Sequence, residues 1–238
     1  VKAAHGGVRS QSEAQKFRQD FLVEGRYLYL LQGLGNTLVI TLFAIIISFF
    51  LGSLIAIVRT THDRTGRYIV LNALCKFYLV IIRGTPTMVQ LLIIYYVIFA
   101  AADVSKVLVA IVAFGINSSA YLAEVVRSGI MSIDRGQSEA GRSLGLSYSQ
   151  TMRLIILPQA FKNVLPAIGN ELITLLKETS ISGYIGLVDL TKGSDIIRSI
   201  TYDAMLPLGV VALIYLAIVL SLSSAVGTLE KKLRKNER

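Results

Sequence analysis

The chain has 238 residues, of which 53% are hydrophobic and 16% are charged, and its mean hydropathy is +0.62. A soluble domain carries about 25% charged residues, so this composition argues against a water-soluble protein and indicates lipid as the main solvent. The formal net charge of +9 at pH 7 comes from basic clusters beside long apolar runs, which are typical of loops in membrane proteins. Because Trp is absent and no basic stripe alternates with aromatic residues, nucleic-acid binding is not expected.

Motifs for catalysis and metal binding are absent from the sequence. The single cysteine, Cys75, excludes an intrachain disulfide, and the two histidines, His5 and His62, lie far apart, so no metal-ligating cluster can be assembled. The chain contains no G-x-x-x-x-G-K-[ST] phosphate cradle, no G-x-S-x-G, no H-E-x-x-H and no pair of carboxylates flanking a polar cleft. We therefore expect a protein that is not an enzyme and that has no metal or cofactor of its own.

The first part of the chain is polar and mixed in charge. Within residues 12–26, Phe17, Phe21 and Leu22 recur at helical spacing with charges between them. This pattern favours an amphipathic helix that lies on the bilayer surface, and a frayed terminus is the alternative.

Five stretches are predicted to cross a membrane, because about 20 residues of helix span a hydrocarbon core of about 30 Å. The second stretch is interrupted by Arg83-Gly84-Thr85-Pro86, where proline is expected to break or kink the helix at membrane depth. Two separate spans are the alternative there, but each would have only about 15 residues, which is short for a crossing. The predicted segments are residues 34–58, the broken stretch 68–102, 104–126, 165–190 and 206–229.

The distribution of Lys and Arg predicts the orientation. The loop after the first span, the loop at 127–162 and the C-terminal tail are basic and are assigned to the cytoplasm, whereas the connections near Asp103 and from Asp189 to Asp203 are neutral or acidic. Five crossings then put the N-terminus outside, although the N-terminal tail is also net positive. The predicted regions are an extracytoplasmic or interfacial tail (1–33), a transmembrane domain (34–229) with a cytoplasmic loop (128–162), and a basic cytoplasmic tail (230–238).

The cytoplasmic loop carries the signals of two short helices. Asp134 with Gln137 predicts a capping box that starts the first helix, and Gly145 predicts its C-terminal end. Ser147 with Gln150 predicts the start of the second helix. The loop is therefore expected to form a compact helix–turn–helix projection.

The same loop contains Glu139-Ala140-Gly141, then Gly145, then Ile155-x-Leu157-Pro158, where the proline limits or kinks the second helix. This pattern resembles the EAA loop in the membrane permease subunits of ABC importers. Gly141 departs from it, since the family has Ala there, and the change lowers helix propensity. In that family the first helix of the loop seats in a groove of the ATPase and passes its closure to the spans; a plain amphipathic connection is the alternative. The ATPase-coupling residues implied are Gly136, Gln137, Glu139, Ala140, Gly141, Leu144 and Gly145.

Further segments resemble the polar amino-acid (His/Glu/Gln/Arg type) subfamily of these permeases. They are Arg83-Gly84-Thr85-Pro86 followed by Gln90, the run from Ala120 to Gly129 followed by Gly136-Gln137-x-Glu139-Ala140, and Lys177-Glu178-Thr179-Ser180. The resemblance implies an all-α membrane protein of the type I ABC importer permease kind, with five transmembrane helices and a cytoplasmic coupling-helix loop.

The resemblance also implies partners and a location. The partners would be two copies of a cytoplasmic ABC ATPase subunit that binds the ATP, a second permease chain (identical or homologous), an extracytoplasmic amino-acid-binding protein and the lipid bilayer. The protein would be multi-pass in the cell (inner or cytoplasmic) membrane with a cytoplasmic C-terminus. The alternative is a gradient-driven secondary transporter or a small channel; such carriers often have two related halves, but the halves of this chain share no sequence similarity.

Polar residues inside the predicted spans are candidates for the substrate path, because such groups usually face a bundle interior or a cavity. Glu171 or Glu178 could accept from a substrate ammonium, and Asn117, Ser118 or Thr179 could donate to a carboxylate. The alternative is that these groups hydrogen-bond one another between helices. The candidates are Asn117, Ser118, Tyr121, Glu171, Glu178, Thr179 and Ser180.

Overall fold

A computed structural model describes residues 13–235, so the outer ends of both predicted tails lie outside the described residues. This part of the chain contains no strand and folds into ten α-helices joined by short 3-10 and π segments. The helices are α1 (Glu13–Phe17), α2 (Tyr27–Thr65), α3 (Ile69–Gly84), α4 (Thr87–Ile93), α5 (Lys106–Met131), α6 (Arg135–Ser143), α7 (Tyr148–Thr151), α8 (Leu157–Glu178), α9 (Leu190–Thr201) and α10 (Met205–Lys235).

Three described helices are long and apolar enough to cross a membrane, namely α2, α5 and the Met205–Leu233 part of α10. Helices α3 and α4, with the π segment that follows, count as a fourth when they are taken as one broken span. Helix α8, which overlaps the predicted fourth segment at residues 165–178, is not among them, because Lys162, Glu171 and Lys177 dilute its apolar residues. The all-helical class is confirmed, but the count of five spans is not.

The predicted break between α3 and α4 is confirmed. Helix α3 ends at Gly84, Thr85 and Pro86 are extended, and α4 begins at Thr87. Proline fixes its own φ and disfavours helical geometry in the residue before it, and the two helices are bent by 107°. The last carbonyls of α3 therefore lose their helical partners and need others.

Gln90 supplies those partners from the first turns of α4. Its Nε2 lies 2.8 Å from the Ile82 carbonyl oxygen, 3.1 Å from the Thr85 carbonyl oxygen and 2.7 Å from Thr85 Oγ1. Its Oε1 accepts from Asn117 Nδ2 on α5 at 2.9 Å. Both amide side chains are buried, so one glutamine joins the bend to the central helix of the bundle.

Replacing Gln90 by leucine is expected to destabilise the bend, because the Ile82 and Thr85 carbonyls would lose their donor and the buried Nδ2 of Asn117 would lose its acceptor. An unsatisfied buried group costs about 1–3 kcal/mol, and a fall in melting temperature in detergent would measure the loss. Gln32→Leu is the matched control, since Gln32 is exposed on α2 and makes no hydrogen bond within the described residues. Equal melting temperatures for the two variants would contradict this role of Gln90.

Helix α5 is the centre of the bundle and packs along α2. Phe114 is fully buried in the largest apolar cluster, which draws on α2, α4, α5 and α8. Small residues on α2 allow the close approach: Ala56 is fully buried, and a Cβ built on Gly52 would lie 2.9 Å from the Ser119 carbonyl oxygen. Such contacts between small residues are the usual way in which helices associate in lipid.

Helix α9 crosses the opposite end of α2 with its backbone almost in contact. A Cβ on Gly33 would lie 2.4 Å from the Asp189 carbonyl oxygen, and a Cβ on Gly193 would lie 2.6 Å from the Tyr29 carbonyl oxygen. Asn36 Nδ2 donates to the Val188 carbonyl oxygen at 2.8 Å across the same contact. The two glycines therefore fix α9 directly on α2.

Gly33→Ala is expected to reduce the yield of folded protein sharply. Overpacking usually costs about 1–3 kcal/mol and occasionally more, and here the obstacle is backbone, which cannot change rotamer. Thermal unfolding and size-exclusion profiles in detergent would measure the effect. Gly35→Ala is the matched control, because nothing lies within 4 Å of a Cβ there; a loss of equal size in this control would contradict the explanation.

The N-terminal segment packs against the bundle near α9 and α10. Phe21 is 3% exposed in a cluster with Leu30, Leu190, Ile197 and Val211. The other two apolar residues of the predicted surface helix, Phe17 and Leu22, are exposed. The segment therefore anchors through one aromatic side chain to the protein itself.

Asp20 lies in the same segment, and its titration makes the stability of the folded protein depend on pH. Burial and the nearby charge of Asp203 raise the pKa of Asp20, while the Thr201 hydroxyl, Arg26 and Lys16 oppose that rise. Because the folded protein holds this proton more tightly than the unfolded chain, stability falls as the pH rises from the unfolded pKa of about 3.9 through the folded pKa. Asp20→Asn is expected to be more stable than the wild type at neutral pH, with a difference that shrinks on acidification.

Thermal unfolding in detergent at several pH values would measure this difference. Asp103→Asn removes the same charge from an exposed position and serves as the control. A constant difference between Asp20→Asn and the wild type across the pH range would contradict the assignment.

Candidate functional site

Helices α6 and α7 form the predicted projection. Residues close in sequence determine where α6 begins and ends. Asp134 Oδ1 accepts from the Gly136 N–H at 2.6 Å and caps the start of α6. The Gly145 N–H donates to the Arg142 carbonyl at 2.9 Å, and the Leu146 N–H donates to the Gly141 carbonyl at 3.1 Å. This pair of bonds is a Schellman motif, and Gly145 has the left-handed φ of +79° that the motif requires.

The second helix starts after Ser147, as predicted, and its start is a capping box. The Gln150 N–H donates to Ser147 Oγ at 3.3 Å, and the Ser147 N–H donates to Gln150 Oε1 at 2.9 Å. Pro158 falls in the first turn of α8, where its missing N–H is not needed. The predicted box between Asp134 and Gln137 is wrong, although Asp134 does cap the helix. Its side chain accepts from the Gly136 N–H and not from that of Gln137, and Gln137 Oε1 accepts from Gln159 Nε2 at 3.4 Å.

The predicted coupling residues divide into an exposed set and one buried member. Leu144 is 79% exposed at the C-terminal end of α6, where its neighbours in the turn are polar or glycine. Gly141 alone is buried, and it packs against Thr151 and Ile155. The exposed members are Gly136, Gln137, Glu139, Ala140, Leu144 and Gly145. We call these six residues the coupling face.

Helix α6 is joined to the membrane helices at two points. Arg64 Nη1, in the last turn of α2, donates to Ser138 Oγ at 2.9 Å. Beneath α6, Met152 and Ile156 pack with Ile130 and Ile133 at the end of α5. Helix α6 is therefore in direct contact with α2 and is linked to α5 through residues 152–156.

The predicted substrate-path residues are only partly brought together. Ser118 Oγ on α5 donates to Glu171 Oε1 on α8 at 2.9 Å, and Glu178 follows Glu171 on the same helix. Asn117 is instead bonded to Gln90, which supports the interhelical alternative for that residue. Its Oδ1, however, is buried without a hydrogen-bond partner.

The remaining path candidates have other surroundings. Tyr121 lies beneath Arg83, whose Cζ is 5.7 Å from the ring centroid. Thr179 is fully buried and donates to the Leu176 carbonyl at 2.7 Å. Ser180 is half-buried in the 3-10 segment that follows α8.

An ion cluster that was not predicted from the sequence joins three helices. Arg59 Nη1 on α2 donates to Glu124 Oε1 on α5, and Arg83 Nη1 on α3 lies 3.8 Å from the same oxygen. Two guanidinium groups thus share one carboxylate, which leaves a surplus positive charge. Each residue stands out in the sequence as a charge beside an apolar run, but that signal does not reveal the partner.

Three features of this structure are together those of a membrane-embedded subunit of a transport system. They are the apolar helical bundle, the buried polar side chains inside it and the exposed helical hairpin. The profile of the family described as "Binding-protein-dependent transport system inner membrane component" matches residues 48–235. The chain belongs to this family.

Curated relatives match over nearly their whole length. The arginine transport system permease protein ArtQ of Bacillus subtilis is 38% identical over 211 residues, which are 88% of this chain and 94% of that protein. A putative glutamine transport system permease protein GlnP of Rickettsia typhi is 35% identical over 213 residues, which are 89% of this chain and 95% of that protein.

Solved structures of similar fold come from ABC transporters. A chain of an amino acid ABC transporter determined with histidines superposes with a TM-score of 0.79 at 39% identity, covering 89% of this chain and 98% of that one. A chain of the MetNI methionine ABC transporter in an inward-facing conformation gives a TM-score of 0.73 at 22% identity, covering 87% and 96%. The second match concerns the fold alone.

Proposed function

We propose that this chain is the transmembrane permease subunit of an ATP-driven importer of polar amino acids. The main support is the coupling face, which displays Leu144 and Glu139 on a short capped helix that is tied to α2 and α5. A rigid helix with an exposed apolar tip suits a groove on another protein. Relatives with arginine or glutamine transport in their names support the substrate class.

The topology follows from this function. Helix α8 is the fourth of five crossings, despite its polar residues, because Ser118 on α5 satisfies Glu171. The coupling face and the C-terminus lie in the cytoplasm, while α9 and the N-terminal segment lie outside. The regions are the outer tail (1–33), the permease domain (34–229) with its cytoplasmic loop (128–162), and the basic tail (230–238).

The substrate path runs along α5 and α8. The buried Oδ1 of Asn117 lacks a donor, so it accepts from the substrate ammonium, whereas Nδ2 is occupied by Gln90. This reverses the donor role first expected for Asn117. Glu171 and Glu178 add negative charge to the same region. The remaining path residues are Ser118, Tyr121, Thr179 and Ser180.

The partners are two ATPase subunits on the coupling faces, a second permease chain and an external amino-acid-binding protein. Uptake of labelled polar amino acids into proteoliposomes tests this assignment. Uptake is expected to require internal ATP, the ATPase and the binding protein together. Uptake by the purified chain driven by an ion gradient alone would overturn the proposal.

The proposed orientation has a separate test. Cys75 is the single cysteine and is buried, so a Cys75→Ser background carries new cysteines cleanly. In right-side-out vesicles, an impermeant maleimide is expected to label Tyr202→Cys, at a position that is 94% exposed, and not Leu144→Cys, at a position that is 79% exposed. The opposite labelling pattern would contradict the topology.

A further inference from the structure

A cavity lies between helix α6 and the ends of the membrane helices, and Glu139 of the coupling face is one of its lining residues. It has a volume of about 560 Å³ and is enclosed by the end of α2, the end of α5, helix α6 and residues 148–156. None of the path residues lines it. The cavity is therefore separate from the proposed path of the transported amino acid.

The charge of the cavity is positive. Arg64, Arg135 and Arg142 line it, together with Asp63 and Glu139. Asp63 is already neutralised, because its Oδ2 accepts from Arg127 Nη2 at 3.0 Å. Three guanidinium groups thus face one remaining carboxylate, and neither Arg135 nor Arg142 forms an ion pair within the described part of the chain.

Two hydroxyl groups in the cavity lining add unused hydrogen-bonding capacity. Thr151 is 3% exposed, and its Oγ1 has no hydrogen-bond partner. The Tyr148 hydroxyl is also buried without a partner. Buried hydroxyls nearly always form hydrogen bonds in native proteins. A ligand with acceptor atoms, bound in the cavity, would supply the missing partners of these two hydroxyls.

The cavity lining also has an apolar part, which includes Met131, Ile133 and Met152. Helix α2 has 39 residues and a length of about 58 Å at 1.5 Å per residue, whereas the hydrocarbon core is about 30 Å thick. The end of α2 therefore extends to the level of the lipid headgroups. The cavity combines arginines, hydroxyls and an apolar wall at that level.

We propose that this cavity binds a phosphate-bearing anion that bridges the end of α2 and helix α6. Guanidinium groups match phosphate oxygens in paired hydrogen bonds, and the two hydroxyls complete the set of donors. The phosphate could come from an anionic lipid headgroup or from a free ion, and the apolar wall favours the lipid. Bound there, it stabilises the contact between α6 and the membrane helices. The binding does not depend on the proposed transport function.

The test is thermal unfolding of the full chain in nanodiscs of phosphatidylcholine with or without phosphatidylglycerol, and in detergent with inorganic phosphate or chloride at equal ionic strength. Phosphatidylglycerol is expected to raise the melting temperature of the wild type. The rise should fall by at least half in the double variant Arg135→Gln/Arg142→Gln. Tyr148→Phe, which removes only the hydroxyl, should reduce it less.

The matched control is Arg67→Gln/Arg153→Gln, which removes two exposed arginines outside the cavity and should keep the full rise. A rise with inorganic phosphate as well would assign the site to the free ion, and a rise with the lipid alone would assign it to the headgroup. No rise in the wild type with either probe, or equal losses in the two double variants, would overturn the proposal.

Discussion

Gly145→Pro is expected to abolish ATP-driven uptake while the membrane bundle stays folded. Gly145 has a φ of +79°, whereas proline fixes φ near −65° and has no N–H. The substitution also removes the bond from the Gly145 N–H to the Arg142 carbonyl. The turn would open, and Leu144 and Glu139 would lose their common placement on the coupling face.

The matched control is Gly145→Asn, because asparagine tolerates the left-handed conformation and keeps the N–H. It is expected to retain most of the uptake. Uptake, ATPase co-purification and the melting temperature would be measured for both variants. A Gly145→Pro protein that assembles with the ATPase and transports normally would remove the docking role of the hairpin.

The second large effect is expected at Gly141, where this chain has glycine in place of the alanine of the EAA pattern. A Cβ at Gly141 would lie 2.7 Å from Thr151 Cγ2, 2.9 Å from Thr151 Oγ1 and 3.1 Å from Ile155 Cδ1. Gly141→Ala should therefore displace α6 from its support and lower uptake, at a cost of about 1–3 kcal/mol in stability. The absence of a side chain at Gly141 therefore leaves the room that the side chain of Thr151 occupies.

A double-mutant cycle tests this pairing directly. Thr151→Ala removes both of the nearest atoms, so Gly141→Ala/Thr151→Ala should recover uptake and stability relative to Gly141→Ala. Residues in contact show interaction energies of about 0.5–3 kcal/mol. Gly227→Ala is the control, because nothing lies within 4 Å of its Cβ position. Additive effects of the two substitutions would contradict direct contact.

Features set by local chemistry could be predicted from the sequence. The break before Pro86, the end of α6 at Gly145 and the box at Ser147 depend on residues a few positions apart, and the structure contains all three. The number of crossings was harder to predict, because α8 mixes apolar residues with Lys162 and Glu171. No local rule decides whether such a mixed segment crosses the membrane.

Features set by long-range packing could not be predicted. The pairing of Arg59 with Glu124 and the approach of Gly33 to Asp189 join residues from distant parts of the chain. Likewise, Gln90 belongs to a motif that is visible in the sequence, but its hydrogen bonds depend on the 107° bend between α3 and α4. The polar side chain of Asn117 within an apolar segment indicated that this residue lies inside the bundle. It did not indicate which of the two side-chain atoms, Oδ1 or Nδ2, would lack a hydrogen-bond partner.

Helix α2 carries a contact at each of its ends: Gly33 against α9 at one and Arg64 against Ser138 of α6 at the other. The two contacts are 31 residues apart, which is about 46 Å of uninterrupted helix. Because the helix is continuous between these two contacts, we expect a displacement of α6 to move α9 through a rigid-body movement of α2. Such a movement would require no chain of intervening side-chain rearrangements.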